Sequence, residues 1–240
     1  MLSIRRSLVC FLPLLALSFS TSAKAATLWM NDFESIGGYA APSASGFSAT
    51  LVANPNASGI NASSQVLAIN VAATGSGDRF FEVRGKSAGA TAGYSLAGLG
   101  TPGDTNFKFT FSFDIYVPSG GSTVNSPDRL LYILRFTNGQ NDATTPAVQG
   151  VTTFDISDPI NQGVWKTVSV TGTVSSLDAA SQAVNYITPI ISWKDAGGND
   201  TPGALAYMDN VNFTVSTVPE PGRMGLVLLG VLGLFFRRSR

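Results

Sequence analysis

Residues 107–117 alternate without a break: Phe107, Phe109, Phe111, Phe113, Ile115 and Val117 fall on one side of an extended chain, and Lys108, Thr110, Ser112, Asp114 and Tyr116 on the other. Successive side chains leave opposite faces of a strand, so this pattern is a half-buried β-strand whose apolar face needs a second layer to cover it. Pro118, Ser119, Gly120 and Gly121 end it with turn chemistry. Comparable runs occupy 27–33, 47–52, 66–71, 80–84, 129–136, 151–156, 164–174, 184–193 and 205–215, most of them bounded by Gly, Pro, Asn or Asp. No long amphipathic helix interrupts them. Residues 175–183 have room for a short helical turn, and 85–93, rich in Gly, Ser and Ala, read as a loop. About ten strands in about 190 residues predict an all-β fold, a β-sandwich of the jelly-roll kind spanning residues 26–217.

The two ends of the chain obey different rules. Residues 1–25 carry Arg5 and Arg6, an apolar stretch over 8–19 and then Ala23, Lys24 and Ala25, the layout of a signal peptide cut by signal peptidase before Ala26. Cys10, the only cysteine, leaves with it. At the other end, residues 218–240 contain Pro219, Glu220 and Pro221, an uncharged segment over 224–236, and Arg237, Arg238 and Arg240. As a helix that segment is about 20 Å long against a hydrocarbon core of about 30 Å, so it inserts shallowly, with the arginines reaching the headgroups. Arginines beside a membrane segment stay on the cytoplasmic side, which places the body outside.

This order of elements resembles the PEP-CTERM sorting signal of Gram-negative bacteria: a Pro-Glu-Pro motif, a short hydrophobic helix and a basic tail. The resemblance implies export across the inner membrane, transient anchoring by the C-terminal helix, and processing at Pro219, Glu220 and Pro221 by an exosortase, ending at the cell surface or outside the cell. Gly222 and Arg223 depart from the family's usual residues after the motif.

Without its leader the chain has no cysteine, and it has no histidine anywhere. Disulfides, thiolate metal sites, Ser-His-Asp and Cys-His catalysis and imidazole zinc sites are thereby excluded. Residues 26–217 hold 14 Asp and Glu against 8 Lys and Arg, a difference of −6, which disfavours nucleic acid as a partner and suits divalent cations or neutral glycans.

Three segments of the body resemble the galactose-binding-like jelly rolls of many carbohydrate-binding modules. They are Asn31-Asp32-Phe33-Glu34-Ser35 near the start, Gly163-Val164-Trp165-Lys166-Thr167-Val168-Ser169-Val170, and Ala206-Tyr207-Met208-Asp209-Asn210-Val211-Asn212-Phe213 near the end; Met208 and Asn210 depart from the closing pattern. The resemblance implies an extracellular polysaccharide as a partner. It also implies a structural calcium held by Glu34 and Asp209, with Asp32 a weaker candidate and backbone carbonyls completing the shell. Asp209 shares strand parity with Leu205, Tyr207, Val211, Phe213 and Val215, which predicts that it points to the core side near a rim, where a carboxylate needs either a cation or several N–H donors. Both alternatives stay open at this point.

Sugar binding uses exposed aromatic faces flanked by amides and carboxylates. Tyr39, Tyr116 and Trp193 are the candidate platforms, whereas Trp165, inside an alternating strand, reads as structure. Asp155 with Asp158, and Asp195 with Asp200, read as solvated turn residues and not as paired catalytic acids, so no enzyme activity is expected. The leading expectation is an exported matrix or surface protein that associates with polysaccharide. The alternatives are a structural envelope protein making protein–protein contacts and a histidine-free enzyme acting on glycosides.

Overall fold

The computed structural model describes residues 25–35, 37–40, 47–57, 59–71, 79–86, 93–96, 106–119, 129–137, 146–156, 158–175, 186–195 and 203–217. Residues 1–24, Pro219, Glu220, Pro221, the hydrophobic segment, Arg237, Arg238 and Arg240 lie outside them, as do residues 176–183 of the expected helical turn. Among the described residues twelve strands run in the order β1 (Ala25–Asn31), β2 (Tyr39–Ala40), β3 (Phe47–Ala53), β4 (Gln65–Val71), β5 (Arg79–Gly85), β6 (Tyr94–Ser95), β7 (Asn106–Tyr116), β8 (Arg129–Thr137), β9 (Pro146–Val151), β10 (Trp165–Ser175), β11 (Tyr186–Asp195) and β12 (Gly203–Thr217), with a 3-10 turn at Pro159–Asn161.

They form two sheets. The first is ordered β10-β7-β12-β4-β3 with β1 also on β12, and the second β2-β5-β11-β8-β9 with β6 also on β11. Every strand pair is antiparallel. After β4 the chain crosses repeatedly between the sheets, with β5 and β6, and again β8 and β9, as successive strands of the second, a jelly-roll-like winding that makes the body an all-β sandwich. Within the first sheet β12 is flanked by β7 from residue 207 onward and, on its other side, by β4 over residues 203–208 and then by β1 over 211–216.

The strand of residues 107–117 behaves as its alternation dictates. Phe109, Phe111, Phe113, Ile115 and Val117 are buried between the sheets, where Phe111 meets Phe213 edge-on at 5.3 Å and lies 6.0 Å from Trp29. From the opposite sheet Val83, Leu130, Leu134, Ile187, Ile191 and Trp193 close the core. Two expectations are corrected. Residues 151–156 are not a strand: β9 ends at Val151, and Thr152 N–H donates to Leu130 O as a last rung. The chain then turns through Asp158, whose carboxylate caps the 3-10 turn by accepting from Ile160 N–H. The apolar spacing there reflects Ile156 tucking into the core. Residues 85–93 are not wholly loop, since Lys86 and Gly93 form a bridge.

Gly85, at the end of β5, is set by close approach. A Cβ there would stand 2.7 Å from the Trp29 indole and 2.9 Å from the Tyr94 ring. We expect Gly85→Ala to lower unfolding free energy in urea by about 1–3 kcal/mol through overpacking, and Trp29→Leu to cost much less in the Gly85→Ala background than in the wild type. Additive effects of the two substitutions would show that the clash is not what selects glycine.

Candidate functional site

The decisive local feature is a bulge in β12. Ala206 and Met208 point into the core before it, and Val211, Phe213 and Val215 after it, so the inward parity changes from even to odd. Against β7 the register runs from Asp209 opposite Asp114 to Asn212 opposite Ser112, one residue more on β12 than on its partner. Asn210 absorbs the extra residue at φ 48°, a left-handed conformation that Asn tolerates better than most side chains.

The consequence overturns the parity argument for Asp209. It lies with Tyr207 on the outward face of the sheet, beside Asp114 and Tyr116, and not on the core side. It is fully buried all the same, because the β3–β4 connection covers it. Asn61 Nδ2 donates to Asp209 Oδ2 at 2.7 Å, and Asn210 N–H to Oδ1 at 2.8 Å. Asn61 Oδ1 in turn accepts from Asn54 Nδ2 at 2.9 Å and from Ser63 N–H at 3.0 Å. A backbone N–H can only donate, so these bonds fix which end of the Asn61 amide meets the carboxylate. Asp114 accepts from Thr167 Oγ1 at 2.6 Å and from Asn210 Nδ2 at 2.8 Å.

Burial pushes the Asp209 carboxyl above its ordinary range. The bonds from Ser63, Asn61 and Asn210 oppose that shift and the nearby Asp114 charge adds to it. Glu34 serves another part of the same connection. Its carboxylate accepts from Ser64 N–H at 2.6 Å, Ser64 Oγ at 2.5 Å and Gln65 N–H at 3.3 Å, and the Ser64 hydroxyl bond above all holds it below the usual range.

These bonds bear on the calcium implied for Glu34 and Asp209. Oxygens that would face a cation face N–H and O–H donors instead, and the two carboxylates hold different residues of the connection. Asp32 caps Glu34 N–H at 3.3 Å. Among the described residues no group of three or more His, Cys, Asp or Glu side chains converges where a metal could sit. As arranged, this donor set closes on itself and does not fit a calcium cage.

Above the carboxylates runs a row of aromatics set by strand register, Trp165 opposite Tyr116 and Tyr116 opposite Tyr207. Ring centroids are 5.6 and 5.8 Å apart. Trp165 is only 6% exposed, and its Nε1–H is shared between Asn54 Oδ1 at 3.2 Å and Asn56 O at 2.9 Å. It is a structural residue, while Tyr116 and Tyr207 remain half-buried with part of each ring turned outward.

The three aromatics singled out in the sequence do not come together. Trp193 is corrected: at 1% exposure it is a core residue of the second sheet, since the parity of β11 sends it inward with Ile191 and Ile187. Tyr39 lies half-buried in β2 with its ring edge-on to Phe33 at 5.2 Å, and burial raises its hydroxyl pKa. Only Tyr116 stands on an outward face with aromatic neighbours. Tyr207, Asn54 and Asn61 have a place in the site that the sequence pattern did not assign to them. The density of Asn in residues 54–61 was the available signal, because Asn bonds readily to nearby backbone.

No protein-family profile matches the chain, and no curated protein does. Solved structures similar to it include the C-terminal family 22 carbohydrate binding module of Clostridium thermocellum Xyn10B, with 14% identity, TM-score 0.44, and 80% of this chain and 95% of that one covered. Another is Caldicellulosiruptor saccharolyticus CBM27-1 in complex with mannohexaose, with 11% identity, TM-score 0.43, and coverage of 80% and 97%. A third, described as one of the carbohydrate-binding modules from the β-sandwich superfamily, shows 16% identity and TM-score 0.43; 76% of this chain aligns, spanning 60% of that one. Every TM-score is below 0.5, so no residue role is carried across and the site is argued from this chain's own side chains.

Asn61→Ala removes the amide that holds Asp209 and should lower stability by about 3 kcal/mol at neutral pH. The loss should shrink as pH falls through the raised pKa of Asp209, because without the pKa-lowering Asn61 bond the variant's carboxyl is raised further and so gains more folding stability on acidification than the wild type's. Urea unfolding of wild type and variant across that range reads both effects, and a pH-independent difference would contradict the assignment. In the same assay, calcium and a chelator should leave the wild-type midpoint unmoved.

Proposed function

We propose that the protein is an exported, non-catalytic surface or matrix component whose sandwich associates with extracellular polysaccharide through the outward face at Tyr116 and Tyr207. One observation carries this reading: two adjacent, partly exposed tyrosines held in fixed register on a rigid sheet, backed by a tryptophan that two asparagines lock in place. Pre-positioned rings lose little freedom when a sugar stacks on them, which is the condition for a shallow site to bind at all. The absence of histidine from the whole chain, and the engagement of both Asp114 oxygens and both Asp209 oxygens by protein donors, support binding over hydrolysis.

Delivery follows from the two termini. In this reading signal peptidase removes the leader, the C-terminal helix holds the chain in the inner membrane of a Gram-negative bacterium, and an exosortase acts at Pro219, Glu220 and Pro221. Glu220→Ala or Pro221→Ala should then leave full-length precursor in the membrane fraction on immunoblots. Normal processing of both variants would remove the exosortase from the scheme.

For binding, the purified body should be retarded in affinity electrophoresis by the host's own exopolysaccharide. The Tyr116→Ala, Tyr207→Ala double variant should bind about tenfold more weakly while unfolding at a similar urea concentration. Absence of retardation by any polysaccharide, together with an altered envelope in a deletion strain, would transfer the assignment to a structural envelope protein that contacts other proteins.

A further inference from the structure

The sheet orders place β10 and β3 at the ends of the first sheet and β2 and β9 at the ends of the second. Such edges present unpaired N–H and C=O groups, and proteins ordinarily blunt them by shortness, proline, charge or a bulge. β2 has two residues, and β9 opens on Pro146 and shifts register against β8. β10 is the longest of the four and the least guarded. It runs 11 residues against β7 without a register shift, and residues 167–173 contain neither a charge nor a proline.

Its far side is open. Among the described residues the β10 ladder runs to β7, and no backbone hydrogen bond reaches residues 166–173 from elsewhere. Val168, Val170 and Gly172 lie opposite Phe113, Phe111 and Phe109, on the core side of the sheet. Val168 is buried, but Val170 and Gly172 are only half-buried, and a glycine has no surface except its main chain. Gly172 is glycine because a Cβ there would stand 2.7 Å from the Phe109 ring, so it marks close packing and not a bulge. On the outward face Thr167, Ser169, Thr171 and Thr173 are exposed.

This edge also matches itself. In an antiparallel pair about a two-fold axis at Val170, Val170 faces its own copy, Ser169 faces Thr171, Val168 faces Gly172 and Thr167 faces Thr173. Hydroxyls then meet hydroxyls on the outward face, the core-side row stays apolar, and no charge meets a like charge. Lys166 lies just outside the matched run. β3 does not match itself in this way. A two-fold pair about Thr50 would set Ser48 against Val52, and the Thr50 hydroxyl already accepts from Asn70 Nδ2 at 3.1 Å.

We propose that β10 is a self-association edge, at which a second copy of this chain adds its own β10 antiparallel and joins the two first sheets into one. The pairing closes about six to eight backbone hydrogen bonds and buries little side-chain area, so the dimer is weak, with a dissociation constant on the order of 100 μM. The two-fold axis is normal to the sheet, so both copies turn their outward faces the same way. A dimer then presents two sets of Tyr116 and Tyr207 on one side, which raises avidity for a long polysaccharide. That gain rests on the proposed sugar binding; the dimer does not.

The test uses the purified body, residues 24–218, which forms a compact unit with its own core. Sedimentation equilibrium at concentrations up to about 1 mM should show a monomer–dimer equilibrium. Ser169→Lys with Thr171→Lys sets like charges opposite each other and should weaken the dimer about tenfold or more, while the urea midpoint stays similar because both side chains are exposed. Residues 24–218 contain no cysteine, so Ser169→Cys mixed with Thr171→Cys should cross-link under mild oxidation faster than either variant alone. The dimer should persist in Tyr116→Ala, Tyr207→Ala, which separates this inference from the sugar reading. A monomer at every concentration, or a dimer untouched by the two lysines, would overturn the edge. Cross-linking no faster in the mixture would overturn the register at Val170. Open-ended oligomers would indicate β10 pairing with β3 and overturn the two-fold dimer.

Discussion

One extra residue in β12 governs the outward architecture of the first sheet. Without the bulge at Asp209 and Asn210, the strand could not bury Met208 before it and Val211 after it while keeping its ladder to β7. The bulge also turns Asp209 away from the apolar core, where a carboxylate without donors is prohibitively costly, and delivers it to amides. Asn210 is well chosen for the position. Its left-handed backbone costs about 1 kcal/mol, offset by its N–H on Asp209 and its amide on Asp114.

From that point the polar layer builds outward. Asp209 fixes Asn61, Asn61 fixes Asn54 and Ser63, and Asn54 helps to fix the Trp165 indole. Trp165 packs on Tyr116, which packs on Tyr207. A buried carboxylate is thus connected through amides to the aromatic surface proposed to touch sugar, and Glu34 fastens the end of the same connection at Ser64. The second sheet shares the apolar core but not this chemistry. On its other face Arg84 and Arg135 both pair with Glu82, beside the buried Ile190 and Ser192.

Much of the fold was legible in the sequence because a strand buried on one face writes a period of two. The run at 107–117 is the clearest case, and the strands on which it depends were found by the same rule. Two-residue strands such as β2 and β6 carry too few side chains to show a period. The 151–156 run shows one without pairing, since Ile156 is drawn inward by packing alone. Parity failed for Asp209 because a bulge is invisible to a counting rule; the only trace was Asn210. Trp193, a candidate platform at the end of the 184–193 run, lies within β11, which continues to Asp195 and turns the indole inward. The Glu82, Arg84 and Arg135 cluster could not be read at all, because it is assembled across β5, β11 and β8 from residues up to 53 positions apart.

The claim that the outward face of the first sheet meets glycan is tested most directly by mapping backbone amide shifts of the isotopically labelled body as a neutral fragment of the host's exopolysaccharide is added. The account predicts saturable shifts centred on Tyr116 and Tyr207, extending to Trp165 and Thr167, with Phe111, Phe213 and Trp193 unmoved. Shifts confined to any other face, or no shifts at saturating sugar, would contradict it.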